Sequence, residues 1–217
     1  GIASEIVLID INTEKALGEA LDIRQGNSFF GGNCSIYAGD YCDAAGSNIV
    51  ILTSGIARKP GQTRLELAQT NVNITKSILP QITKYAPNAI YIIVSNPVDI
   101  LTYVFFKQSG LPANHIIGSG TVLDTSRLRA RLSEYYNINQ TNVHAYVFGE
   151  HGDSSFVPWS VANISGVPIK DCPQLITTPG MISPALDFAE IETYVKKSGG
   201  RVIARKGATF YAVSAAV

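Results

Sequence analysis

Two stretches, Ile49-Val50-Ile51-Leu52 and Ala89-Ile90-Tyr91-Ile92-Ile93-Val94, carry apolar side chains at every position, with no polar alternation. Such strands have no face to give to water, so they belong in a parallel sheet covered on both sides. Two shorter runs, Glu5-Ile6-Val7-Leu8-Ile9 and Ser35-Ile36-Tyr37-Ala38, precede them. Helix-patterned segments lie between. Residues 14–24 place Ala16, Leu17, Ala20, Leu21 and Ile23 on an apolar face, residues 65–85 read as a helix that Pro80 should kink or interrupt, and residues 98–108 form a helix that Gly110 stops. This alternation predicts an α/β fold with a doubly wound parallel sheet. From Val143 onward strands and turns take over, with a late helix over residues 184–198, so an α+β domain is expected there. The boundary is set near Gln140, giving domains 1–140 and 141–217.

The 217 residues are 46% hydrophobic and 16% charged, enough for one large core or two small ones. Lys+Arg 17 balances Asp+Glu 17 with no basic run, which argues against a nucleic-acid surface. No apolar stretch is long enough to span a bilayer, and no signal peptide precedes the first strand. Cys34, Cys42 and Cys172 are far apart with no CxxC pair, which reads as reduced, buried thiols in a cytoplasmic protein. Neither metal-ligand spacing nor a G-x-S-x-G nucleophile elbow is found.

Ligands of a doubly wound sheet bind beyond the carboxyl ends of its strands. Asp10 ends the first strand, where a carboxylate can take both hydroxyls of a ribose or simply cap a helix, a task open also to Asn12 or Thr13. Gly55 follows Leu52-Thr53-Ser54 and either admits a dinucleotide closely or turns the chain. Asn96, after Val94-Ser95, offers an amide to a substrate oxygen or makes ordinary Asn-Pro turn chemistry. The G-x-G-x-x-G loop that normally lies about 20 residues before such an acidic residue is not in the chain. The chain therefore reads as a fragment whose first strand and phosphate loop would precede Gly1, and it stops inside a helical pattern at residues 208–213.

The run Gly149-Glu150-His151-Gly152-Asp153-Ser154 sets a histidine between glycines after an apolar strand-like stretch, residues 143–148. Histidine is the side chain suited to carry a proton near neutral pH, although a polar hairpin loop has the same composition. Asp124 and Arg127 are three apart at a helix start and so share a face. An aspartate can orient a histidine and stabilise its cation, and an arginine can clamp a carboxylate bidentately; an N-cap and a solvated arginine are the plainer reading. Arg64 follows a Pro60-Gly61 loop that can act as a lid. His115 and His144 read as satisfied structural histidines.

Taken together, Ile9-Asp10, residues 58–65, Val94-Ser95-Asn96-Pro97-Val98-Asp99-Ile100-Leu101-Thr102, residues 118–127 and residues 149–154 resemble the L-lactate/malate dehydrogenase family, in its order and close to its spacing. The resemblance implies a Rossmann-like NAD-binding domain, here without its first strand, followed by a catalytic domain. It implies hydride transfer between NAD and a small 2-hydroxy acid in fermentative carbohydrate metabolism, by a homo-oligomer, dimer or tetramer. His151 would be the general acid/base, Asp124 its partner, and Arg64 the loop residue that polarises the carbonyl. Arg127 would bind the substrate carboxylate, Asn96 would assist at the substrate oxygen and beside the cofactor, and Asp10 and Gly55 would contact NAD.

The substrate position of the family falls on Arg58, six residues before Arg64. Malate-type members carry arginine there, and its planar fork suits a second carboxylate. Glu150, the Ser154-Ser155-Phe156-Val157-Pro158-Trp159-Ser160 continuation and Thr209 instead resemble the lactate type. L-lactate dehydrogenase is therefore expected, with malate dehydrogenase the alternative that Arg58 supports. A further alternative is a truncated, non-catalytic product, and as a fragment this 217-residue chain is expected to bind NAD poorly and turn over little or nothing.

Overall fold

In a computed structural model, the structure describes residues 2–29, 31, 33–56, 63–172 and 186–217, with the side chain of residue 64 outside that description. Packing divides the chain into two units, Gly1–Gly118 and Ser119–Val217. The first contains β1 (Glu5–Leu8), α1 (Thr13–Gln25), β2 (Ser35–Ala38), β3 (Ile49–Leu52), α2 (Arg64–Tyr85), β4 (Ile90–Ile93), α3 (Val98–Ser109) and β5 (Ile116–Gly118). Every strand pair in it is parallel, as the continuous apolar runs predict. The strands form two sheets, β1-β2 and β3-β4-β5, rather than one. A pattern of apolar residues identifies strands but not which edges meet.

The core of this unit lies on one face of β4. Tyr91 and Ile93 point into it and meet Leu79 and Ile82 from α2 and Val98, Leu101 and Phe105 from α3. Each large side chain buried this way contributes roughly 1.5–3 kcal/mol. The Tyr91 ring lies 4.9 Å from that of Phe105. Its hydroxyl donates to the Ala86 carbonyl at 2.8 Å. Burial pushes this phenol up to about 12. The opposite face differs from the two-sided cover expected: Ile49, Ile51, Ile90 and Ile117 remain well exposed.

Helix boundaries follow local chemistry. Asn12 caps α1 by accepting from the Lys15 amide. Thr63 and Glu66 form a reciprocal capping box that starts α2 at Arg64. The bonds from Thr63 hold the Glu66 carboxyl below its ordinary range. Pro80 does not end α2, which runs on to Tyr85. Leu79 and Ile82, on either side of it, are buried in the core, and their packing outweighs the hydrogen bond that proline cannot make. Gly110 stops α3 with a left-handed φ of 70°.

The second unit holds α4 (Val122–Tyr136), β6 (Val143–His144), β7 (Asn163–Ile164), β8 (Val167–Pro168), α5 (Phe188–Lys206) and α6 (Tyr211–Ala216). Its three short strands are antiparallel, in the order β6-β7-β8. One stripe of α4, Leu128, Leu132 and Tyr136, packs on Val143, Ala145 and Val147 and on Ile191 and Val195 of α5. This is why packing divides the chain at 118/119 rather than near Gln140: the change of pattern at Gln140 marks where helices give way to strands, but α4 already packs against those strands and α5. Helix α5 extends past the expected end at residue 198 and through Gly199-Gly200. Asp187 caps its start, and Arg201 lies over the Tyr194 ring at 4.4 Å, tying the two sides of the glycine pair together. Pro184, placed in this helix by pattern, lies outside the described residues.

Of the three cysteines only Cys172 is buried, where burial raises its thiol pKa; Cys34 is half-buried and Cys42 exposed. Among the described residues no helix is long and apolar enough to cross a membrane. Within the same residues no group of three His, Cys, Asp or Glu side chains could hold a metal ion.

Candidate active site

Asp124 lies in the first turn of α4 and is only 4% exposed. It does not cap the helix. One carboxylate oxygen accepts from Arg127 Nη1 at 3.1 Å, and the other meets His151 Nδ1 at 2.5 Å. The arginine is three residues on, so helical geometry alone brings it beside the aspartate. The histidine comes from a loop 27 residues away. A buried carboxylate thus stands between a permanent cation and an imidazole.

The loop carrying His151 is built rather than loose. An isolated antiparallel bridge between Phe148 and Phe156 closes its base. Gly149 turns the chain at a φ of 91°, which favours glycine. Ser155 Oγ donates to the Gly152 carbonyl at 2.9 Å, and Ser154 Oγ donates to Glu150 at 2.7 Å. From α5, Lys196 Nζ donates to the Asp153 carbonyl at 2.9 Å. Glu150 is therefore engaged in holding the loop.

The approach to this loop departs from expectation. Burial alternates from Val143 to Phe148, as in a half-buried strand, yet only Val143 and His144 pair with another strand. At Ala145 and Val147 the partners are instead side chains of α4 and of its N-cap residue. Thr121 Oγ1 donates to the Val147 carbonyl at 2.6 Å, the Val147 amide donates to Thr125 Oγ1 at 2.9 Å, and Arg129 Nε donates to the Ala145 carbonyl at 3.2 Å. Sequence patterning missed the two threonines. Their spacing of four from each other, flanking Asp124, was the available signal.

Gly199 of α5 was also missed. A Cβ built there would lie 3.3 Å from Arg127 Nη2, so a hydrogen at this position leaves room for the guanidinium. Thr209 is half-buried in the link between α5 and α6, and among the described residues no hydrogen bond joins it to the Asp124 cluster. His144 is exposed on β6. His115 is not the satisfied histidine expected: its Nδ1 is buried without a hydrogen-bond partner among the described residues.

In the first unit, Asp10, Gly55 and Asn96 all follow the carboxyl ends of parallel strands, β1, β3 and β4. Asp10 is exposed and accepts from the Asn12 amide at 2.9 Å, while Asn12 supplies the helix cap. Gly55 has a φ of 154°, and a Cβ there would lie 3.3 Å from Asn71 Oδ1. Asn71 is a third residue that sequence reasoning missed. Only 3% exposed, it accepts from the Ile56 amide at 2.9 Å and donates to the Asn96 carbonyl at 2.7 Å, so one α2 side chain ties together the loops after β3 and β4. Asn96 Oδ1 in turn accepts from the Val98 amide at 3.3 Å, which orients the side-chain amide. The missing Cβ of Gly55 thus leaves room for the Asn71 amide, and Asp10, Gly55 and Asn96 share the carboxyl-end edge where ligands of such sheets bind. Arg64 opens α2, while Arg58 lies outside the described residues.

Similarity to known proteins covers both units. Residues 1–118 match the family model for the lactate/malate dehydrogenase NAD binding domain, and residues 121–217 match that for the alpha/beta C-terminal domain. The chain is 50% identical over 217 residues to L-lactate dehydrogenase 1 of Clostridium acetobutylicum, spanning 100% of this chain and 68% of that protein. It is 47% identical over 219 residues to the L-lactate dehydrogenase of Clostridium perfringens strain SM101, spanning 67% of it. Among solved structures, the minor L-lactate dehydrogenase from Enterococcus mundtii superposes with a TM-score of 0.90 at 40% identity, over 100% of this chain and 68% of that one. MGS-M5, a lactate dehydrogenase from a Medee basin deep-sea metagenome library, also gives 0.90, at 42% identity, over 98% of this chain and 67% of that one. Parallel strands with dinucleotide-compatible ends, a histidine–aspartate–arginine cluster and two consecutive domain matches agree, and the chain belongs to the lactate/malate dehydrogenase family of NAD-dependent oxidoreductases.

Proposed function

We propose that this protein interconverts pyruvate and L-lactate, with His151 as the proton carrier. The observation that carries the reading is Asp124 bridging His151 and Arg127. Bound NADH supplies the hydride that reaches C2 of the 2-oxo acid. His151 Nδ1 is engaged by Asp124, so the proton for the carbonyl oxygen comes from Nε2, which leaves a hydroxyl on the substrate and a neutral imidazole. In the oxidation direction the same nitrogen takes the proton back, and Asp124 stabilises the imidazolium that forms. Arg127 holds the substrate carboxylate through its planar fork. The resemblance gives Arg64 the polarisation of the carbonyl, Asn96 a hydrogen bond at the substrate oxygen and Thr209 a place at the substrate. Asp10 would hold the adenosine ribose, and Gly55 would let the backbone approach the dinucleotide.

The preference for pyruvate is supported by the curated relatives named above, which are L-lactate dehydrogenases, and by the resemblance of Glu150 and the residues after it to the lactate type. Arg58 favours a second reading, reduction of oxaloacetate. NADH oxidation by the purified protein with each acid decides between them. Pyruvate is expected to turn over with the higher kcat/KM; a tenfold advantage for oxaloacetate, about 1.4 kcal/mol in the transition state, would reverse the assignment. Arg58→Gln should then restore pyruvate. No turnover of either acid would instead favour the non-catalytic alternative. We place the protein in the cytoplasm as a homo-oligomer, which light scattering on the purified protein tests.

A further inference from the structure

We propose that Thr121, Thr125 and Arg129 form a side-chain ladder that fixes the segment leading to His151, and that the two threonines are positioning residues for the His151–Asp124 pair. The inference rests on His151 being the acid/base.

The three residues are spaced i, i+4 and i+8, so they form one stripe along α4. Along that stripe residues four apart advance by about 6 Å. Two residues of extended chain advance by about 6.6 Å. Thr125 meets Val147 and Arg129 meets Ala145, two residues back, so helix and chain run antiparallel in matching steps. Thr121 adds a second bond to Val147, and both polar groups of that residue are taken from one side. The neighbouring Phe148 exchanges both of its bonds with Phe156 instead. The backbone is thereby held from alternate sides at the two residues immediately before Gly149.

The threonines carry this task at a cost to the helix. Thr121 is the N-cap residue of α4, where a hydroxyl ordinarily accepts from a helix amide, yet it makes no capping bond and donates to Val147 instead. Asp124 lies between the two threonines in sequence and His151 is four residues past Val147, so the ladder ties the backbone that carries the aspartate to the segment that carries the histidine. Losing a rung would leave a buried backbone group of Val147 unsatisfied, and the segment would move to find a partner.

Thr125→Val and Thr121→Val remove one rung each at nearly constant volume, Thr125→Ser keeps the hydroxyl, and His151→Gln serves as the control. Pyruvate reduction at saturating NADH, scaled to the folded fraction, is measured alongside histidine side-chain nitrogen NMR, which is simple to assign because the chain has 3 histidines. Each valine variant is expected to lose roughly ten- to a hundredfold in kcat, as for a small misplacement of a catalytic group, with KM for pyruvate within about twofold. Thr125→Ser should stay within about threefold of the parent and keep the slowly exchanging His151 Nδ1 proton, which the valine variants should lose. If Thr125→Val fails to fold, Thr121→Val carries the same comparison. A valine variant with unchanged kcat per folded molecule and an intact Nδ1 signal, beside an inactive His151→Gln, would overturn the ladder. An active His151→Gln would overturn the acid/base reading instead, with the Nδ1 signal still deciding the ladder.

Discussion

Replacing Asp124 with asparagine probes the centre of the cluster with almost no change of shape. The carboxylate is 4% exposed and touches both His151 and Arg127. With His151 as the proposed proton carrier, lactate oxidation takes its ring from neutral to cationic, and its attraction to Asp124 grows along the reaction. For charge centres about 4 Å apart at an effective dielectric near 20, that attraction is about 4 kcal/mol. Asparagine keeps one hydrogen bond to the ring and restores a part. The expected loss is about 3–4 kcal/mol, or roughly 10²- to 10³-fold in kcat/KM for lactate. The amide can still accept from Arg127, so thermal stability should shift by only a few degrees. Steady-state NADH formation across a lactate series, with a melting curve for each protein, makes the test. A variant within about threefold of the parent in kcat/KM would refute the argument that this carboxylate stabilises the imidazolium.

Gly199→Ala should raise KM for the 2-oxo acid several-fold with a smaller change in kcat, because its Cβ would press on Arg127 at 3.3 Å. The same change should raise the melting temperature slightly, since alanine is favoured over glycine in a helix by about 0.5–1 kcal/mol. Asn71→Ala removes bonds to Ile56 and Asn96 and leaves part-buried backbone groups without that partner. It should cost about 2–4 kcal/mol in urea unfolding and weaken NADH binding in a fluorescence titration. Tyr91 and Tyr136 are both pushed up to about 12 by burial. Folded protein therefore keeps protons that the unfolded chain releases above pH about 10, so this stability is whole below that pH and drains away as pH rises toward 12. Urea midpoints should fall over that window, and Tyr91→Phe should flatten the fall.

The sequence announces the alternation of strands and helices because a strand without polar positions has few places to go. It also reveals Asp124 and Arg127, whose spacing is local. The pairing of Asp124 with His151 depends on a loop 27 residues away, so residue chemistry makes it possible and only family resemblance assigns it. Asn71 leaves no trace in side-chain pattern because its amide bonds backbone, and Thr121 and Thr125, whose hydroxyls do the same, leave only their spacing of four around Asp124. Pro80 misled for a related reason: its local penalty was visible, whereas the burial of Leu79 and Ile82 that outweighs it is tertiary. Gly199 lies in a helix that pattern ended at residue 198. A glycine whose purpose is to leave space for Arg127 shows itself only when that side chain is in place.

The most direct test of His151 as proton carrier is the pH dependence of kcat/KM measured in both directions. Reduction of pyruvate needs the ring protonated and oxidation of lactate needs it neutral. The reduction rate should therefore fall with rising pH and the oxidation rate should climb, with one shared inflection, and His151→Gln should abolish both limbs. Two profiles of the same sign, or limbs that persist in His151→Gln, would contradict the account.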